Sequence, residues 1–252
     1  MKRTAQSIST PSTARPALHR LLAGALVAAA FAMPAAQAAV IDFEGIGNDL
    51  VGHNDVFQQG GLALTGYSLA DNALSGDLVG AVVDGTDLGI CAGLACPANN
   101  QTSFYSALND SALFIDPAHA GDSFKIKGFD ASFIGAVAGA SYPATAGLLR
   151  VQGFFADGST VFENYALNGP TAGSFGFQHF NTSSTFGEQA FSQVAIFGFT
   201  CNSTGSCSAF STNKGQFAID NILVAVPEPT TYLMMLLGLA SIGAVARRRR
   251  VK

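Results

Sequence analysis

Between residues 40 and 224 the sequence never holds an apolar period of about 3.6 for long; it breaks into short β-rich runs bounded by Gly, Asn, Asp and Ser. The runs are 40–43, 62–67, 78–83, 112–115, 123–134, 148–155, 160–167, 175–180, 191–200 and 217–224. Many short strands joined by polar turns predict an all-β fold, a single β-sandwich or jelly roll, and not a parallel α/β sheet.

Two places show the pattern in detail. Phe124 and Ile126 alternate with Lys125 and Lys127, and then the apolar phase shifts to Phe129, Ala131 and Phe133. A strand cannot change faces without an inserted residue, so Gly128 is expected to mark a β-bulge. Asp157-Gly158 lies between two β-rich runs and reads as a hairpin turn that pairs 148–155 with 160–167. The Ser/Thr/Asn-rich stretches 181–185 and 200–213 read as exposed loops.

Both ends of the chain carry a different grammar. Lys2, Arg3, Arg15 and Arg20 precede an apolar run from Leu21 to Met33, and Ala36-Gln37-Ala38 follows it. Basic start, short apolar middle and A-x-A exit are the three parts of a secretory signal, so residues 1–38 are read as a signal peptide cut after Ala38. At the other end Val226-Pro227-Glu228-Pro229 precedes the apolar segment Tyr232 to Ala246 and the cluster Arg247, Arg248, Arg249 and Arg250. As a helix that segment would be about 22 Å long at ~1.5 Å per residue, short of a hydrocarbon core of about 30 Å. The arginines resist crossing, which keeps them cytoplasmic as a stop-transfer end and places everything before Pro227 outside.

The order of motif, short apolar span and basic end over residues 226–252 resembles the PEP-CTERM sorting signal. That resemblance implies that Val226, Pro227, Glu228 and Pro229 are the recognition motif of an exosortase, a membrane cysteine protease-transpeptidase. It also implies a Gram-negative host and a link to extracellular polysaccharide or biofilm. The organisation is then signal peptide (1–38), β-sandwich ectodomain (39–225) and sorting tail with its short transmembrane helix (226–252). The precursor is expected to be anchored in the inner membrane and the product to lie at the cell surface.

Charge separates along the same lines. Of the 17 acids all but Glu228 lie between 39 and 226, where the basic residues are Lys125, Lys127, Arg150 and Lys214. So acidic a body disfavours nucleic acid as a partner. The membrane is met through the tail, before processing. All four cysteines fall in the exported part, and their spacings suggest two disulfide staples, Cys91 with Cys96 and Cys201 with Cys207; crossed pairing stays open.

Two acids stand near the domain ends, Glu44 in IDFEG and Asp220 in FAIDNI. These stretches resemble carbohydrate-binding-module-like sandwiches, in which an early Glu and a late Asp hold a structural calcium; the resemblance makes Glu44 and Asp220 the metal candidates. The competing reading is a turn at Asp220-Asn221. No G-x-S-x-G or H-E-x-x-H motif is present, and His53, His119 and His179 read as solvated loop residues. The chain has no Trp, and its 20 phenylalanines read as core. The sequence therefore points to a non-catalytic, structural or adhesive surface protein. A calcium-dependent glycan-binding module is the alternative, and a secreted hydrolase is a further one.

Overall fold

The structure is a computed structural model that describes residues 37–46, 49–91, 93–226, 238–241 and 243. Numbered along the chain, sheet A contains β1 (Gln37–Ile41), β2 (Asp49–Gly52), β5 (Leu78–Asp84), β6 (Ser103–Ala107), β8 (Lys125–Phe133), β11 (Gln178–Asn181) and β14 (Phe217–Val226). Sheet B contains β3 (Val56–Gln59), β4 (Leu62–Tyr67), β7 (Ala112–Pro117), β9 (Thr145–Phe154), β10 (Thr160–Asn168), β12 (Gln193–Cys201) and β13 (Cys207–Ser208). All named pairs are antiparallel, in the order β11-β8-β14-β6-β5-β2 for sheet A and β10-β9-β12-β7-β4-β3 for sheet B. This is the sandwich that the alternating runs predict.

Alternation decides what lies between the sheets. β4 buries Leu62 and Leu64 while Ala63 and Thr65 face outward, and β9 likewise buries Leu149 and Val151. Phe43, Tyr105, Phe129, Phe133 and Phe217 come from the sheet A side to meet them in one core. Each fully buried aromatic of this kind is worth about 1.5–3 kcal/mol of transfer free energy. The Asp157-Gly158 hairpin is as expected: Gly158 takes φ +83°, Asp157 Oδ1 accepts from Ser159 N at 2.9 Å, and Thr160 pairs with Phe154.

β14 organises sheet A. On one side it runs along β8; on the other its first residues pair with β6 (Ile219 with Tyr105) and its last with β1 (Ile222 with Ile41). Asp220 and Asn221 fall at the hand-over between β6 and β1. Against β8 the register shifts there too, between Asp220 and Leu223, and Asn221 adopts φ +50°, a left-handed conformation that Asn tolerates better than most residues. A second shift between Leu223 and Val224 falls at Gly128, where the sequence marks a bulge.

The fully buried Asp220 side chain closes the gap. Its Oδ1 accepts from Asn221 N at 2.7 Å, and its Oδ2 accepts from Asn100 Nδ2 at 2.8 Å, Thr102 Oγ1 at 3.1 Å and Asn221 Nδ2 at 3.3 Å. Asn221 Nδ2 also donates to Asp130 Oδ2 at 2.9 Å, and Asp130 bonds His179 Nδ1 at 2.7 Å.

The outer face of sheet A is covered in part. Ala81, Val83, Phe104, Ile134 and Ala218 form a second small core beneath Leu88, Ile90, Leu94 and Cys96, with Phe177 edge-on to Phe104 at 5.2 Å. The Cys91–Cys96 disulfide staples this cover. Both disulfides are the local pairs, Cys91–Cys96 and Cys201–Cys207.

Residues 1–36, Pro227 to Pro229 and Arg247 to Arg250 lie outside the described residues, as does most of the apolar tail, of which 238–241 and 243 are helical. Among the described residues no helix is long and apolar enough to cross a membrane.

Burial pushes the Asp220 carboxyl above the usual range, against the lowering effect of its hydrogen bonds, and nearby Asp130 adds to the rise. The folded state therefore holds the proton more tightly than the unfolded chain. Asp220 stabilises most below its ordinary pKa of about 3.9, and that contribution declines as pH rises through the raised value. Replacing it leaves Asn100 Nδ2 and Asn221 N without an acceptor, while Thr102 Oγ1 keeps Asn100 Oδ1 and Asn221 Nδ2 keeps Asp130, so Asp220→Ala is expected to cost about 2–3 kcal/mol near pH ~4 and less near pH ~7; urea titrations across pH measure this, and a flat difference would refute it. The buried Tyr105 hydroxyl has no hydrogen-bond partner among the described residues. Tyr105→Phe is accordingly expected to raise stability by about 1 kcal/mol in the same titrations, where a loss would contradict the assignment.

Candidate functional site

The outer face of sheet B is built differently from that of sheet A. Strand parity turns Arg150 and Gln152 of β9, Phe197 and Phe199 of β12, Phe162 and Asn164 of β10, Phe114 of β7 and Tyr67 of β4 away from the core. In register, Asn164 lies beside Arg150, Arg150 beside Phe197, and Phe197 beside Ala112, which pairs in turn with Tyr67. The result is an aromatic band across the sheet with a cation in it. Phe162 is 50% exposed.

The Arg150 guanidinium carbon lies 4.0 Å from the Phe162 ring centroid, 5.0 Å from that of Phe199 and 5.9 Å from that of Phe197. Contacts of this type contribute about 0.5–1 kcal/mol at exposed sites. Arg150 Nε donates to Asn164 Oδ1 at 2.8 Å, which fixes the guanidinium plane. Phe197 and Phe199 lie 5.7 Å apart, Phe114 meets Tyr67 edge-on at 5.5 Å, and Tyr67 packs on His53 at 4.5 Å. His53 is buried, and its Nδ1 accepts from Ser68 N at 2.9 Å, so it is not the solvated histidine that its loop position suggests. His119 and His179 are exposed.

The band is extended by Phe210, 40% exposed and 5.0 Å from Phe197. Three constraints place it. Cys201–Cys207 ties β13 to β12 just before the loop begins. The buried Asp110 carboxylate accepts from Thr212 N at 3.1 Å, Asn213 N at 2.7 Å and Gly215 N. Gly198 and Gly215 let the loop lie flat on β12: a Cβ on Gly198 would stand 2.3 Å from the Gly215 carbonyl oxygen, and one on Gly215 would stand 2.6 Å from that of Gly198. Reading 200–213 as an exposed loop misses this, because its anchor lies about a hundred residues away in sequence.

Glu44 and Asp220 are brought to neighbouring residues of one segment without forming a shared cage. Glu44 Oε1 accepts from Ser103 N at 2.8 Å, while Asp220 faces the donors of Asn100, Thr102 and Asn221. Calcium takes six to eight oxygens, whereas both oxygens of Asp220 are engaged by N–H and O–H groups. Among the described residues no group of three or more His, Cys, Asp or Glu side chains is placed to hold a metal ion. As placed, the pair suits a hydrogen-bonded structural role and does not fit calcium. A separate cleft is lined by Asp116, His119, Asp122 and Asp157. Burial raises the Asp116 carboxyl there, opposed by a 2.9 Å hydrogen bond from Gln193.

No curated protein matches the sequence. Similar solved structures include a DUF4465 family protein from Bacteroides ovatus, 10% identical with a TM-score of 0.40, covering 75% of this chain and 98% of that one. A mutant of a family 29 carbohydrate-binding module is 10% identical with a TM-score of 0.34, covering 77% and 94%. The enzymatically active domain of bacteriophage CBA120 tailspike protein 4 is 16% identical with a TM-score of 0.29, covering 66% and 19%. At the C-terminus, residues 225–250 match the PEP-CTERM protein-sorting motif, the mark of an exported precursor that an exosortase sorts.

Proposed function

We propose that this protein is released to the cell surface or extracellular matrix by exosortase processing and serves there in a structural or adhesive, non-catalytic role, holding extracellular polysaccharide on the open face of sheet B. The observation that carries the polysaccharide reading is the aromatic band around Arg150. Sugar rings present apolar C–H faces that stack on aromatic rings, and their hydroxyls need planar hydrogen-bonding groups at the rim. Phe162, Phe197, Phe199 and Phe210 supply the first, and Arg150, Gln152 and Asn164 supply the second. The phenylalanines, read from sequence as core, thus take the place of the absent Trp.

Affinity electrophoresis of the mature protein in polysaccharide extracted from its host tests this. Phe162→Ala and Phe197→Ala are each expected to weaken retention about tenfold, equivalent to ~1.4 kcal/mol, while the melting transition moves by only a few degrees. Asp110→Asn is expected to weaken it through the displaced Phe210 loop. Retention equal to wild type in all three variants rules out this face.

The sorting reading has its own test. Intact mass of the wild type is expected to lack the Arg247 to Arg250 tail, whereas Pro227→Ala/Glu228→Ala/Pro229→Ala keeps it and stays in the membrane fraction. Identical C-termini in the two proteins would show that the motif is not a processing site.

A further inference from the structure

The register of β1 against β14 connects the two ends of the precursor. Gln37 pairs with Val226 and Ala38 with Ala225, immediately before Pro227 of the sorting motif. No linker separates the sheet from the motif. Among the described residues Val226 has Gln37 as its ladder partner, and Ala225 is held between Ala38 on one side and Lys125 on the other. The next pair inward is Ala39 with Val224.

With the signal peptide cut after Ala38, Val226 loses its ladder partner Gln37 and Ala225 loses Ala38, keeping Lys125 on its other side. We propose that this first cut unlocks the second: loss of Gln37 and Ala38 frees the Val226 backbone and one edge of Ala225, directly upstream of the sorting motif, and only then does the exosortase take up this segment readily. The proposal rests on the exosortase reading given above and on the signal-peptide cut after Ala38. In the first step water adds across the Ala38–Ala39 peptide bond, leaving a carboxylate on Ala38 and an ammonium on Ala39. In the second a peptide bond at the motif breaks, its acyl group passes to water or an acceptor amine, and the amino half leaves with the tail.

The physical reason is one of reach and pairing. A peptide bound as an added strand offers its own N–H and C=O groups to the host cleft, and these are unavailable while they pair with another strand. Releasing two residues frees about 7 Å of extended chain, at ~3.4 Å per residue. The order of the cuts is thereby written into the sheet: the strand that the signal peptide leads into guards the strand that the sorting tail leaves from.

The test uses the full chain in its host, with residues 1–36 replaced by a signal peptide cleaved directly before Gln37, so that the mature protein keeps Gln37 and Ala38. Pulse-chase with intact mass follows loss of the tail. The Gln37-start form is expected to lose its tail about three- to tenfold more slowly than the Ala39-start form, consistent with opening one or two backbone bonds. Ala38→Pro in the Gln37-start form, which takes the backbone N–H from residue 38 and disrupts the pairing of this end of β1, is expected to restore the faster rate. Equal rates for the two starts, or a proline variant that stays slow, would overturn the proposal. So would a wild-type mature N-terminus upstream of Ala39. A tail retained in every form would overturn it together with the exosortase reading, whereas equal, complete tail loss would leave that reading standing.

Discussion

The sandwich depends on one strand being paired on both sides by three others. β14 takes β8 along one edge and divides its other edge between β6 and β1. A divided edge leaves a break in the ladder, and backbone polar groups in such a break need other partners. The Asp220 carboxylate and the left-handed Asn221 meet that need, drawing Asn100 and Thr102 down onto the sheet. The inserted residue also resets the phase of β14, so that Phe217 and Ile219 before the break and Ile222 and Val224 after it all reach the same core. Without the extra residue the second half would turn its apolar side outward.

The two sheets manage their outer faces in opposite ways. Sheet A carries small and apolar residues there and hides them under a disulfide-stapled loop. Sheet B carries large aromatics and leaves them open, with a guanidinium resting among them. Its own disulfide, with the Asp110 carboxylate, serves to bring one more ring to the band instead of covering it. Among the described residues the aromatic face of sheet B therefore offers a broad open surface on which to meet something large.

What could be read in the sequence follows the range of the interactions involved. The bulge at Gly128, the Asp157-Gly158 hairpin and the local disulfides are decided within a few residues, and each is where the pattern places it. β6 was hidden because SFYSA is buried on both faces, so its alternation never appears as polar against apolar. β2 and β3 are only four residues each, too short for a period to show. Composition alone assigns the outward phenylalanines to the core because it cannot tell which side of a strand a ring occupies; register and the partner strands decide that. Glu44 and Asp220 bond to Ser103, Asn100 and Thr102, which lie far away in sequence, so that the two carboxylates form two separate hydrogen-bonded sites that sequence spacing does not disclose.

β14 runs to Val226 with the sorting motif directly behind it, and this has a mechanical side. If the chain is held by its C-terminal end while a load acts on the opposite sheet, the force enters along β14. Antiparallel hydrogen bonds lie across the strand direction, so the pull meets the bonds to β8, β6 and β1 side by side, in shear, and cannot open them one at a time. A tether at that end would thus load the ladders of β14 in shear.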